Sequence, residues 1–182
     1  NKWEKNYAKQ FNWGIENCHI STAWTMRMDA DEYLLPETAD EIRSTLTKLE
    51  DEITGLNISR RVIFKGRWLR YGGFYPIHLL RIWRTGVGKC EQRLMDEHIT
   101  LTRGIVRTLN NDLVDENFNC MHWWTKKHNN YARREATDIL DKKYNLIGKR
   151  QIQRDVTIKQ AFYKRILKEK VYNKLPLGFR PA

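Results

Sequence analysis

The apolar run Thr22-Ala23-Trp24-Thr25-Met26-Arg27-Met28 stops on Asp29-Ala30-Asp31-Glu32, and this junction constrains the chain more than any other stretch. A short, mostly apolar, β-tolerant segment has the composition of a buried strand in an α/β sheet. Ligands of open α/β sheets bind outside the carboxyl ends of the strands, so two carboxylates at spacing two fall where a metal and phosphate site is expected. Asp29 and Asp31 offer hard oxygen donors suited to Mg²⁺ or Mn²⁺ arriving on a diphosphate. Acidic turns that merely cap a helix use the same residues, and the triplet alone favours that plainer reading by about two to one.

The flanking segments read as helices. Trp3, Tyr7, Phe11, Ile15 and Cys18 recur at steps of four, four, four and three, a stripe that Gly14 interrupts and from which Asn12 and Trp13 stand aside as surface residues. After the acids, Pro36 suits a first helical turn and Thr38 and Glu41 have capping-box spacing. Ala39, Ile42, Leu46, Leu49 and Ile53 carry an apolar face on to Gly55, which ends the helix. Leu56, Ile58, Val62 and Phe64 then alternate as a strand that Arg60 and Arg61 interrupt.

Residues 65–76 combine glycines with Trp68, Tyr71, Phe74 and Tyr75. Such a loop suits a sugar or lipid-linked acceptor, and equally a loop packed over a sheet. A strand over 79–83, a turn at Gly86-Val87-Gly88 and a return strand over 90–95 deliver Asp96-Glu97-His98. Two acidic groups at two strand ends could face each other, one holding a metal and one serving a hydroxyl as general base. A helix cap beside a partly buried histidine is the plainer account. An irregular stretch through Gly104 and Asn110-Asn111 then leads by Asp115-Glu116-Asn117 into a long helix from about residue 118 to 140. Trp123 and Trp124 are expected in the core. Lys126-Lys127-His128-Asn129 lies within reach of a phosphate or is a solvated face.

With 182 residues, 41% of them apolar, the chain is one folded domain or most of one. No apolar run approaches the ~18 residues of a membrane span, and no signal-peptide pattern is present. Cys18, Cys90 and Cys120 are too scattered for a disulfide framework or a thiolate zinc site and fit a reducing compartment. Residues 142–182 hold 12 Lys/Arg against 2 Asp/Glu, which is +10 of the net +11. The chain therefore divides into a nearly neutral core, 1–141, and a basic amphipathic tail, 142–182, whose natural partners are anionic lipid head groups or nucleic acid.

Five blocks, taken in order, resemble a bacterial family-2 glycosyltransferase of the lipopolysaccharide, capsule or exopolysaccharide branch. They are Tyr7-Ala8-Lys9-Gln10-Phe11-Asn12-Trp13, Arg27-Met28-Asp29-Ala30-Asp31-Glu32, Gly72-Gly73-Phe74-Tyr75-Pro76, Met95-Asp96-Glu97-His98 and Trp124-Thr125-Lys126-Lys127-His128-Asn129-Asn130-Tyr131-Ala132. The resemblance implies a GT-A fold, with a mixed sheet flanked by helices. It also implies transfer from a nucleotide-diphosphate sugar to a saccharide or lipid-linked acceptor, with inversion, at the cytoplasmic face of the bacterial plasma membrane.

By that likeness Asp31, Asp29 and His98 hold Mg²⁺ or Mn²⁺, while Asn12 and Lys127 join the two aspartates on the donor side. Glu97 or Asp96 is the base, in an order reversed from the family's usual Glu-Asp. Trp68, Gly72, Gly73 and Tyr75 meet the acceptor. Phe11 stands where the family often has arginine. The family's nucleotide-binding β-α-β unit has no counterpart before Asn1, so the chain is expected to be an internal fragment, inactive alone. The membrane surface is an expected partner through the tail and nucleic acid is not. The alternatives are a nucleic-acid-binding module built on the tail and a non-catalytic transferase-like domain.

Overall fold

The computed structural model describes residues 6–92, 97–144 and Leu167. The elements run α1 (Tyr7–Asn17), β1 (Trp24–Met26), β2 (Glu32–Leu34), α2 (Pro36–Leu46), β3 (Ile53–Phe64), β4 (Arg67–Trp68), β5 (His78–Arg84), β6 (Gly88–Cys90), β7 (Ile99–Leu101), β8 (Ile105–Glu116) and α3 (Met121–Tyr144). This is a mixed α/β architecture. Trp3, Asp96 and nearly all of the basic tail lie outside the described residues. No helix among those described is long and apolar enough to cross a membrane.

The main sheet has the order β1-β5-β3-β8-β2, with β4 hairpinned onto β3, and β6 and β7 form a separate two-stranded ribbon. Within the main sheet β3 and β8 run parallel, and the remaining pairs are antiparallel. The apolar run before the acids is thus the edge strand β1, half-buried rather than enclosed.

Five residues, Arg27-Met28-Asp29-Ala30-Asp31, carry the chain from β1 at one edge to β2 at the other. At about 3.3–3.6 Å per residue, the six steps from Met26 to Glu32 reach about 20 Å at most. Four strand spacings of about 4.8 Å already require about 19 Å. The link is not taut, since the Glu32 N–H bonds back to the Asp29 carbonyl at 3.0 Å. The sheet must therefore curl, bringing its edges together around the acidic residues.

A register shift sorts the core. Leu56 pairs with Ile82 but Asn57 pairs with Leu80, so Arg81 is an extra residue in β5. Leu80 and Trp83 consequently pack with Ala8, Cys90 and Ile99, under α1 and the ribbon. Ile82 turns to the other face with Leu56, Ile58, Leu109 and Leu113, where Ile42 and Leu46 of α2 cover it. Burying each such aliphatic side chain stabilises the fold by roughly 1.5–3 kcal/mol. Gly88 is needed where the ribbon crosses Trp83, because a Cβ there would stand 2.5 Å from the indole ring.

The second helix starts at Pro36 as expected, but Leu35 caps it without a side-chain bond. Thr38 and Glu41 do not form a capping box. The Thr38 hydroxyl donates to the Asp112 carbonyl at 2.6 Å. The Glu41 carboxylate accepts from the backbone N–H groups of Asn110 and Asn111, both at 2.8 Å. These amides fall where β8 bulges between Thr108 and Asp112, so Glu41 satisfies donors that the ladder leaves out. The helix ends at Leu46, while Ile53 and Gly55 belong to β3. The stretch through Asn110-Asn111 is a twelve-residue strand in the body of the sheet rather than an irregular connection.

Candidate functional site

The two aspartates of the link have different fates. Asp29 Oδ2 accepts from Arg81 Nη2 at 3.1 Å, and Oδ1 accepts from Arg27 Nε and Nη2, each at 3.3 Å. Burial alone would raise the Asp29 carboxyl, but the Arg81 and Arg27 guanidiniums outweigh it and hold it below the usual range. Arg27 in turn lies under the rings of Tyr7 and Phe11, with its guanidinium 5.2 and 5.4 Å from their centroids, which ties the link to α1. Arg81 also pairs with the buried Glu32 carboxylate, whose second oxygen accepts from the Asp29 N–H at 2.9 Å. Burial pushes the Glu32 carboxyl up.

Asp31 is not part of this clamp. Among the described residues its carboxylate accepts one bond, from Asn117 Nδ2 at 2.8 Å, and its carbonyl accepts from the Glu116 N–H at 2.8 Å. Asp115, paired across the ladder with Glu32, feels the Asp31 charge and the Lys127 ammonium as well as Arg60, whose Nη1 lies 3.5 Å from it. Burial raises the Asp115 carboxyl despite Arg60. Asp31 is thus joined to the end of β8 through Asn117 and Glu116. In sequence Asp115 marks only the lead-in to the helix; its position opposite Glu32 becomes visible once β8 is a strand.

The helix α3 reaches the sheet through Trp124, whose ring meets Phe64 at 5.6 Å and stacks on His128 at 3.7 Å. Trp123 is exposed rather than core, and Lys127 lies 4.8 Å from its ring centroid.

Glu97, half-buried just before β7, acts on the Cys90 thiol together with Arg27, while burial pushes that thiol up to about 11. Asp96 lies outside the described residues. Asn12 is no surface residue. Its amide spans the Cys90 backbone, donating to the carbonyl and accepting from the N–H, both at 2.8 Å, so its polar atoms are spent on joining α1 to β6. The His98 carbonyl accepts from the Glu91 N–H at 2.8 Å.

Among the described residues no group of three or more His, Cys, Asp or Glu is placed to hold a metal ion. A magnesium-like ion needs only one or two carboxylates when phosphates complete its shell. Asp31 fits that mode. Asp29 has both carboxylate oxygens on arginine.

The residues expected at the acceptor lie elsewhere. Asp112 and Asp115 are three apart on β8 and face opposite sides of the sheet, as do their partners Arg61 and Arg60. Tyr75 donates to Asp112 Oδ1 at 3.0 Å and sets its ring against Trp68 at 5.0 Å, so this cluster occupies the face away from Asp115. Arg61 and Arg70 lie over the Trp68 ring at 4.3 and 4.1 Å. Gly72 and Gly73, at φ +69° and +80°, make the exposed turn beyond. The rings offered to solvent are Tyr71 and Phe74, not Trp68 and Tyr75.

No family model matches the chain.

Proposed function

We propose that the protein is a nucleotide-sugar-dependent glycosyltransferase of GT-A type, acting on a saccharide or lipid-linked acceptor in bacterial cell-surface polysaccharide synthesis. The observation that carries this reading is the position of Asp31. It is half-buried at the end of a link held by Arg81, and among the described residues its carboxylate bonds to a single side chain, Asn117, two residues after Asp115.

In this reading Asp31 would hold Mg²⁺ or Mn²⁺, which when bound would supply positive charge to the donor diphosphate. Lys127 pairs with a phosphate oxygen from the α3 side. Arg81 and Arg27 hold Asp29, and with it the link, in one conformation, which fixes Asp31 before the donor arrives. Glu97 takes the proton of the acceptor hydroxyl as that oxygen bonds to the anomeric carbon and the bond to the diphosphate breaks, a single displacement with inversion.

The test is nucleoside diphosphate binding to the intact protein by calorimetry, with and without Mn²⁺, repeated on Asp31→Ala. Binding that needs Mn²⁺ and disappears in the variant is expected. Binding that ignores both the metal and the substitution would remove the basis of the proposal.

A further inference from the structure

The segment 53–90 contains eight Lys/Arg and no Asp or Glu. Five of the eight are answered by carboxylates from other elements: Arg60 by Asp115, Arg61 by Asp112, Arg81 by Glu32 and Asp29, Arg84 by Asp51, and Lys89 by Glu16. The other three, Lys65, Arg67 and Arg70, are exposed and follow one another along the turn and hairpin after β3. Among the described residues no carboxylate pairs with them. Lys65 donates to the Asn119 carbonyl at 3.4 Å, and Arg70 lies over Trp68.

The same rim carries the two most exposed large hydrophobic side chains of the described residues, Tyr71 at 86% and Phe118 at 84%. Phe74 and Met121, each 46% exposed, stand beside them in sequence. The bond from Lys65 to Asn119 brings the segment that carries Phe118 and Met121 beside the hairpin that carries the three cations. Folding has left unmatched positive charge and uncovered aromatic rings in one place. Gly72 and Gly73 turn the chain between Tyr71 and Phe74, letting the two rings sit at a tip rather than against the sheet.

We propose that this rim, residues 65–74 with Phe118 and Met121, is a membrane-docking surface for an anionic lipid bilayer. Lys65, Arg67 and Arg70 meet lipid phosphates, and Tyr71, Phe74 and Phe118 enter the headgroup layer. The chemistry favours a bilayer over a folded protein partner because exposed rings and unmatched cations occur together on two adjoining segments. Interfacial aromatics flanked by basic side chains are what an anionic water–lipid boundary binds. The inference does not depend on transferase activity.

The experiment is co-sedimentation of the full chain with phosphatidylcholine vesicles containing 30% phosphatidylglycerol, set against pure phosphatidylcholine vesicles and a single-stranded oligonucleotide. Each basic residue near an anionic surface changes partitioning roughly fivefold. Arg67→Ala with Arg70→Ala should therefore lower the partition coefficient about twenty-five-fold, and Arg67→Lys with Arg70→Lys should retain it. Tyr71→Ser with Phe118→Ser should weaken binding to the anionic vesicles further while leaving thermal unfolding unchanged.

Partitioning that stays the same in the Arg→Ala pair would overturn the proposal and assign membrane binding to other residues. So would equal binding to neutral vesicles, or a loss of oligonucleotide binding in variants that still sediment with lipid. A protein that docks on vesicles through this rim yet binds no nucleoside diphosphate would keep this inference and lose the transferase reading, so the two fail separately.

Discussion

Arg81 and Arg70 come from the same acid-free segment, eleven residues apart, yet one is 4% exposed between two carboxylates and the other is exposed with only an indole beneath it. Inside the sheet, each cation of the segment meets an acid that arrived from a distant element. On the hairpin none does. Charge matched in this way holds the fold, because desolvated ions are tolerated only with a partner. Charge left without an ionic partner beside exposed aromatic rings adds little to the fold, a ring contact for Arg70 and a carbonyl for Lys65, and is free to meet something outside it. The same contrast separates Asp29 from Asp31, two residues apart on one link.

The sharpest way to break the comparison is Arg81→Met. It strands the Glu32 carboxylate in the interior, and breaking a buried pair costs on the order of 3–5 kcal/mol. A urea unfolding curve should show a larger loss than Asn12→Ala, Glu41→Gln or Arg70→Ala produces; a midpoint close to the parent protein's would mean that the clamp is ornamental. Asn12→Ala comes next. It leaves the Cys90 N–H and carbonyl without their amide partner, a penalty of about 1–3 kcal/mol by the same measurement.

Glu41→Gln is smaller, about 1 kcal/mol, since the carboxylate is only half-buried and water screens it. It also has a signature in pH. Burial would raise the Glu41 carboxyl, but bonds from Asn110 and Asn111 outweigh it and lower it, as the arginines do for Asp29. For both groups the unfolded chain binds protons first, so their stabilisation is complete above the ordinary carboxyl range and is lost as the pH falls through their folded values. Glu32 and Asp115, raised by burial, carry the opposite sign and weaken the fold as the pH rises. Between pH 7 and pH 3, Glu41→Gln should therefore lose less stability than the parent protein. The smallest effect belongs to Arg70→Ala, within about 0.5 kcal/mol of the parent, as for a surface side chain with no ionic partner.

Local pattern was enough to locate the three helices but not the end of the second, whose apolar stripe ran on into β3. It was also enough to place the acids at the end of a strand. The strand β8 was hidden because Thr108, Asn110, Asn111 and Asp112 look like loop residues, and what makes them strand residues is remote: Glu41 on α2, Arg61 on β3 and the hydroxyl of Tyr75. Arg60 and Arg61 looked like a break in β3 for the same reason, since their acids lie more than fifty residues downstream. At the site, sequence gives donor-side roles to Asp29, Asp31, Asn12 and Lys127 alike, and it could not show that Asp29 meets Arg81 or that Asn12 meets the Cys90 backbone, since both partners are remote in the chain. Trp68 and Tyr75 drew notice as aromatics, but only packing distinguishes a ring used as a wall from one left in water.

The five-residue passage from one edge of the sheet to the other makes the acids a gauge of the whole molecule. A link of that length ties β1 to β2 like a hoop, and neither edge can swing open without pulling on Asp29 and Asp31. The backbone hydrogens of Asp29 and Glu32, bonded to Glu32 Oε2 and to the Asp29 carbonyl, should therefore exchange with deuterium only when the entire sheet lets go, as slowly as those of β3.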